Sequence, residues 1–136
     1  MGVCMNRNYD VIIPVALNEA IFVGNVLPYI RKNLVGAERI FLMTNSKNMR
    51  FLKELPHKDS RCQLIDEDKL LENLSFKVVG NLIDQRCHGQ VKQRTGWYFQ
   101  QFLKLGFALS KYASDYYLSW DADTLPLTPL TFFDER

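Results

Sequence analysis

Short apolar runs alternate with amphipathic stretches along this chain, which predicts that strands alternate with helices. The runs at residues 9–15 (YDVIIPV), 39–44 (RIFLMT), 62–65 and 116–120 (YYLSW) are rich in β-branched and aromatic residues. Continuous apolar runs of this length are typical of parallel strands that are buried on both faces. We therefore expect an α/β fold with a Rossmann-like, mostly parallel sheet flanked by helices.

The segments between these runs predict the helices. We expect the first helix to follow an Asn18 N-cap, to end near residue 34, and to kink or divide at Pro28. Shorter helices are expected over residues 47–55 and 66–74, whereas residues 80–90 contain scattered polar groups and are expected to form a loop that has room for one helical turn.

A long helix is expected from residue 95, because apolar residues recur there at alternating spacings of four and three. Such spacing predicts an apolar stripe on one side of the helix. Gly106 interrupts this helix and indicates close packing against a neighbouring element. The predicted stripe consists of Tyr98, Phe102, Leu105, Leu109 and Tyr112.

The most informative motif directly follows the last predicted strand. Asp121 and Asp123 are separated by one residue in a non-helical segment. Ligands of open parallel sheets bind beyond the carboxyl ends of the strands, and two converging carboxylates suit a hard cation such as Mg²⁺ or Mn²⁺ that also binds a diphosphate. The alternative is a pair of solvated turn residues.

The same residues also fit a second chemistry. Asp121-Ala122-Asp123-Thr124 is similar to the D-x-D-x-T motif of haloacid-dehalogenase-type phosphatases, although Leu125 stands at the position of the motif's threonine; there Asp121 would attack phosphorus and Asp123 would be the acid/base. The other catalytic residues of those phosphatases come later in the chain, and little sequence follows the motif here. We therefore rank this alternative below the metal–diphosphate site.

Further candidates lie near the motif or after the first strand. Lys104 and Gln101 lie on the helix that precedes the last strand, and Arg94 lies just before that helix. The two cationic side chains are candidates for binding a diphosphate. Ala16 and Asn18 are candidates by position, because the loop after the first strand commonly contacts a nucleotide. There is no G-x-G-x-x-G or Walker sequence, and the catalytic residues are unknown at this stage.

Composition excludes several classes of protein. The net charge is +2 and no block of like charges exists, so we expect no nucleic-acid partner. No apolar run approaches the roughly 18 residues that span a bilayer, and the N-terminus lacks the apolar segment of a secretory signal. We expect a cytoplasmic protein in which Cys4, Cys62 and Cys87 are free thiols.

Four segments together resemble a known family. YDVIIPVALNE, RIFLMTNS, GWYFQQFLKL and YYLSWDADTLPLTPLTFFDE, in this order, are similar to bacterial proteins of the DUF6492 group, which are regarded as glycosyltransferases of the GT-A superfamily. The resemblance implies that residues 1–136 form one domain, the N-terminal half of a GT-A fold that stops soon after the D-x-D motif.

The resemblance also implies roles for residues. Asp123 would bind Mn²⁺ or Mg²⁺, Asp121 would contact the ribose or a metal-bound water, and the segment Pro14-Val15-Ala16 would flank the base and ribose. The substrates would be a nucleotide-diphosphate sugar and a glycan or polysaccharide acceptor. A non-catalytic alternative is a binding or assembly domain that associates with itself through an exposed sheet edge.

Overall fold

The structure, a computed structural model, describes residues 7–88 and 92–133. Four parallel strands form one sheet in the order β3-β2-β1-β4. The α/β class and all of the predicted strands are confirmed. The strands are β1 (Tyr9–Pro14), β2 (Ala37–Thr44), β3 (Cys62–Asp66) and β4 (Tyr117–Ser119).

Helices cover both faces of the sheet. On one face, Val23, Leu27 and Ile30 of the first helix pack against alternate residues of β1 and β2. On the other face, Phe99 and Leu103 pack against the remaining residues of the same strands. No helix in the described ranges is long and apolar enough to cross a membrane. The helices are α1 (Ala20–Asn33), α2 (Ser46–Leu52), α3 (Leu55–Lys58), α4 (Phe76–Cys87) and α5 (Thr95–Gly106).

The strand order reverses beside β1. Strands β2 and β3 follow β1 on one side, whereas β4 pairs with β1 on the other side. A reversal of this kind opens a crevice between the loops at the carboxyl ends of the two strands, which is where open α/β sheets bind ligands. The segment after β4 therefore begins next to this crevice.

The start of the first helix differs from the prediction. Its N-cap is Glu19, and Asn18 is an exposed residue of the preceding turn. That turn is closed by the backbone N–H of Glu19, which donates to the carbonyl of Ala16 at 3.0 Å, so helical geometry begins later than Asn18. The helix continues through Pro28 and does not divide into two helices.

The middle of the chain was predicted incorrectly in two places. Residues 66–74 form a short 3₁₀ turn over Glu67–Lys69 and further turns instead of a helix. Residues 80–87 belong to α4 and do not form a loop, while residues 89–90 lie outside the described ranges. Helix α4 begins at Phe76 because the hydroxyl of the preceding Ser75 accepts a hydrogen bond from the backbone N–H of Val78, which caps the helix.

The apolar stripe predicted for α5 is also wrong. Leu105 and Leu109 are 73% and 80% exposed, and the helix ends at Gly106 before a 3₁₀ turn. The buried residues of this segment recur at a spacing of four, whereas the residues of the predicted stripe recur at mixed spacings of three and four. The expected close packing at Gly106 is confirmed, because a Cβ there would lie 2.8 Å from Leu71. The buried residues are Thr95, Phe99, Leu103 and Phe107.

A buried carboxylate ties β1 to the segments on both sides of it. The Asp10 side chain is 2% exposed. Its Oδ1 accepts hydrogen bonds from the backbone N–H and the Nε of Arg39 on β2. Its Oδ2 accepts from Arg39 Nη2 and from the Ser114 hydroxyl, both at 2.6 Å. Ser114 precedes β4 and also donates to Tyr116, so Asp10 helps to fix where β4 begins.

We expect Asp10→Ala to lower the free energy of unfolding by about 2–3 kcal/mol, because it removes a buried acceptor and leaves its donors without a partner. Urea denaturation measures this loss. The matched control is Asp115→Ala, since Asp115 is an exposed residue of the same loop and should change stability by less than about 0.5 kcal/mol. Equal effects of the two substitutions would contradict the role given to Asp10.

Candidate functional site

The D-x-D segment forms a tight turn directly after β4. The backbone N–H of Thr124 donates to the carbonyl of Asp121 at 3.2 Å, and the indole N–H of Trp120 donates to the carbonyl of Thr124 at 2.8 Å. Ala122, between the two aspartates, is 1% exposed and packs into the core beside α1. Asp121 and Asp123 are both exposed. The buried alanine therefore anchors the turn while its neighbours remain open to solvent.

The two aspartates have different surroundings. Lys104 Nζ lies 2.9 Å from Asp121 Oδ1, and the lysine side chain is 22% exposed. Asp123 contacts only the hydroxyl of Thr124, at 3.5 Å, among the hydrogen bonds found in the described chain. Asp121 is therefore paired with a cation, whereas the carboxylate of Asp123 is open to a further ligand.

One kind of metal site needs only two carboxylate ligands from the protein. Within the described residues there is no group of three or more His, Cys, Asp or Glu side chains that could hold a metal ion. Mg²⁺ is usually bound through one or two carboxylates, with water and substrate phosphates as its other ligands. Two aspartates do not make a metal site from protein alone, so a metal at Asp121 and Asp123 would take its other ligands from water and a phosphate.

The loop after β1 is held by side chains from three elements. The Thr44 hydroxyl donates to the carbonyl of Val15 at 2.8 Å, and Asn48 Nδ2 donates to the carbonyl of Ala16 at 3.0 Å. The Glu19 carboxylate accepts from the backbone N–H of Ala16 at 2.8 Å. These contacts fix the backbone beside the reversal of strand order, so it needs little rearrangement to contact a ligand.

A cavity of about 620 Å³ opens beyond the carboxyl ends of β1, β2 and β3. Ala16, Asn45 and Glu67, which follow these three strands, contribute to its wall, and the first turns of α4 and α5 complete it. Ligand pockets in proteins typically measure roughly 300–1,000 Å³. The cavity is therefore large enough for a nucleoside or a similar small molecule.

Helix α5 connects the cavity with the D-x-D turn. Gln100 lines the cavity, and Lys104, one turn further along, reaches Asp121. Four residues of α-helix span only about 6 Å along the axis, so one ligand of nucleotide size can contact both places. Gln101, a candidate from the sequence, is half-buried and does not belong to the cavity wall.

Burial changes the acidity of Glu67. Removal from water raises its pKa to about 7, and the neighbouring acids Asp68 and Asp66 add to the rise. The carboxyl of Glu67 has no hydrogen bond or ion pair with any described residue. A partly buried acid without a partner in a cavity marks a candidate ligand contact.

Comparison with known proteins identifies a family. A family described as "Family of unknown function (DUF6492)" matches residues 25–134. The chain belongs to this family. No curated protein and no solved structure matches the chain. The matched range of DUF6492 includes α5 and the D-x-D turn.

The structure of this DUF6492 chain places the other predicted site residues in different settings. Ala16 lines the cavity. Pro14 and Val15 are buried below it, so their side chains belong to the core. Asn18 and Arg94 are exposed and lie outside the wall of the cavity.

Several residues of the site were not identified from the sequence. They hold the loop after β1 or line the cavity, and most of them follow β2 and β3. The strand-end rule, which singled out Asp121 and Ala16, would have found those that follow β2 and β3 if it had also been applied to those two strands, whereas Glu19 and Trp97 lie elsewhere. These residues of the DUF6492 chain are Glu19, Thr44, Asn45, Asn48, Glu67, Asp68 and Trp97.

The raised pKa of Glu67 predicts a pH-dependent stability. An acid whose pKa is higher in the folded state destabilises that state as pH rises from 4.5 towards 7, and the penalty is complete above pH 7. Glu67→Gln removes it, so the variant should gain stability relative to the parent between pH 5 and pH 8. We expect a gain on the order of 1 kcal/mol, because solvent reduces the effect at this partly exposed group.

Urea denaturation at the two pH values measures this gain. Glu72→Gln is the control, because Glu72 is an exposed glutamate close by in the chain. A stability difference between Glu67→Gln and the parent that is the same at both pH values would show that Glu67 has an ordinary pKa.

Proposed function

We propose that this chain binds the nucleotide-diphosphate sugar donor of a GT-A-type glycosyltransferase, with Mn²⁺ or Mg²⁺ held between the diphosphate and the aspartates of the D-x-D turn. The observation that carries the proposal is the position of this turn. It follows β4, where the strand order reverses beside β1. This is the part of an open α/β sheet in which nucleotides bind.

The two aspartates would make different contacts with the donor and the metal. Asp123 would bind the metal, because its carboxylate has no cationic partner in the described chain. Asp121 would contact the ribose or a metal-bound water, and this contact would release Lys104 from its ion pair. The freed ammonium group of Lys104 would then stabilise the diphosphate.

The charges of the site support one orientation of the donor. None of the described residues that line the cavity is Lys or Arg, whereas Glu19, Glu67 and Asp68 contribute to its wall. Phosphate groups would be repelled there, so the nucleoside would occupy the cavity. The diphosphate would lie towards Lys104 and the metal.

Glycosyl transfer would then depend on stabilising the leaving group. The bond from the sugar to the diphosphate breaks with negative charge accumulating on the departing nucleoside diphosphate. A metal ion and an ammonium group placed at that charge lower the barrier electrostatically. The proposed acceptor is a glycan or polysaccharide, as the family resemblance implies.

We expect at least one of GDP, UDP, ADP and CDP to bind in the presence of Mn²⁺, and EDTA to abolish the binding. Asp123→Ala should weaken it at least ten-fold, because charge-assisted contacts contribute about 1.5–3 kcal/mol. Isothermal titration calorimetry with each nucleotide measures this. Asp115→Ala is the control, since it removes an exposed aspartate from the opposite end of β4.

Two results would contradict the proposal. One is the absence of metal-dependent binding of any of these nucleotides to the folded protein. The other is hydrolysis of a simple phosphate ester that Asp121→Asn abolishes, which would instead support the dehalogenase-type phosphatase chemistry.

A further inference from the structure

The cavity beyond β1, β2 and β3 offers two flat apolar surfaces. Phe76 lines the cavity and is 48% exposed, and its ring is held edge to face against the buried ring of Phe99, with the centroids 5.9 Å apart. Trp97 also lines the cavity and is 59% exposed, so much of its indole is accessible to a ligand. Aromatic side chains placed in this way suit a planar ring that stacks on them.

The polar part of the wall is rich in hydrogen-bond acceptors. Asp68 Oδ1 accepts from the backbone N–H of Phe76 at 2.8 Å, which fixes the side chain and leaves its other oxygen available. The carboxyl of the adjacent Glu67 has no partner in the described chain. Asn45 Oδ1 is occupied by the backbone of Asn48, at 2.9 Å. The carboxylate of Glu67 and the second oxygen of Asp68 are therefore open to hydrogen-bond donors of a ligand.

We propose that the cavity selects guanine among the common nucleobases, with the guanine N1–H and 2-amino group donating to the two carboxylate oxygens of Glu67 and the second N–H of the 2-amino group donating to Asp68. This inference rests on the proposed function, because it concerns the nucleoside part of the same donor. Guanine presents two adjacent N–H donors on one edge, and a carboxylate accepts such a pair through both of its oxygens. Its fused rings also offer the larger surface for stacking.

The other bases fit the two acids less well. Uracil has a single N–H between two carbonyl groups, and both carbonyls would face carboxylate oxygens. Adenine and cytosine place an amino donor beside a ring nitrogen that accepts, so they match a protonated carboxyl rather than a carboxylate. An unpaired acceptor of the ligand opposite a carboxylate is costly once the base shields both from water, which is how a polar pocket rejects a near-isostere.

The affinity for GDP should depend on pH. The titratable groups around Glu67 are Asp66 and Asp68 on the same turn and Glu19 elsewhere in the wall. Glu67, with its raised pKa of about 7, must be deprotonated to accept both donors. GDP should therefore bind more tightly at pH 8 than at pH 6, with little further change above pH 8.

The test is calorimetric titration of GDP, UDP, ADP and CDP with Mn²⁺ at pH 6 and pH 8. We expect GDP to bind at least ten-fold more tightly than the others at pH 8. Glu67→Gln should remove most of this preference and its pH dependence. Asp68→Asn keeps an acceptor for the backbone N–H of Phe76 and should weaken the binding of GDP more than that of the other nucleotides. Glu72→Gln, with its exposed glutamate, is the control.

Each contrary result has a defined meaning. If UDP, ADP or CDP binds as tightly as GDP, or if Glu67→Gln leaves the GDP preference intact, the inference is wrong and the proposed function stands. If no nucleoside diphosphate binds to protein whose circular dichroism shows it to be folded, both the inference and the proposed function are wrong.

Discussion

The buried carboxylate of Asp10 is the interaction on which the site depends. Strand β4 has only three residues, and it borders the sheet formed by the described residues. Asp10 joins β1 to Arg39 on β2 and to Ser114 in the segment that leads into β4. A short edge strand gains little from its own backbone hydrogen bonds. The side-chain network therefore sets where β4 starts, and with it where the D-x-D turn emerges.

Parallel strand ends bring distant parts of the chain to one edge of the sheet. Ala16, Glu67 and Asp121 are far apart in sequence, yet each follows a strand that ends at that edge. Charge then separates the two regions of the site. The cavity wall carries acids, whereas Lys104 lies beside the D-x-D turn. A ligand with a neutral, donor-rich end and an anionic end matches this arrangement.

The sequence predicted the strands because buried parallel strands leave continuous apolar runs, and it predicted the D-x-D position because that motif directly follows one of them. It did not reveal helix α4, whose start depends on a single cap at Ser75. The face of α5 was assigned wrongly because apolar residues occur on more than one side of that helix, and Leu105 and Leu109 are exposed. Glu67 resembles a solvated turn residue in sequence, since its burial arises only from tertiary packing.

The most direct test is a crystal structure of the chain with Mn²⁺ and the nucleoside diphosphate that binds best, in which anomalous scattering locates the metal. The account predicts one Mn²⁺ ion within roughly 2–2.5 Å of an Asp123 carboxylate oxygen and of a phosphate oxygen, with the base in the cavity beyond β1, β2 and β3. A metal bound away from Asp121 and Asp123, or a base bound outside that cavity, would contradict it.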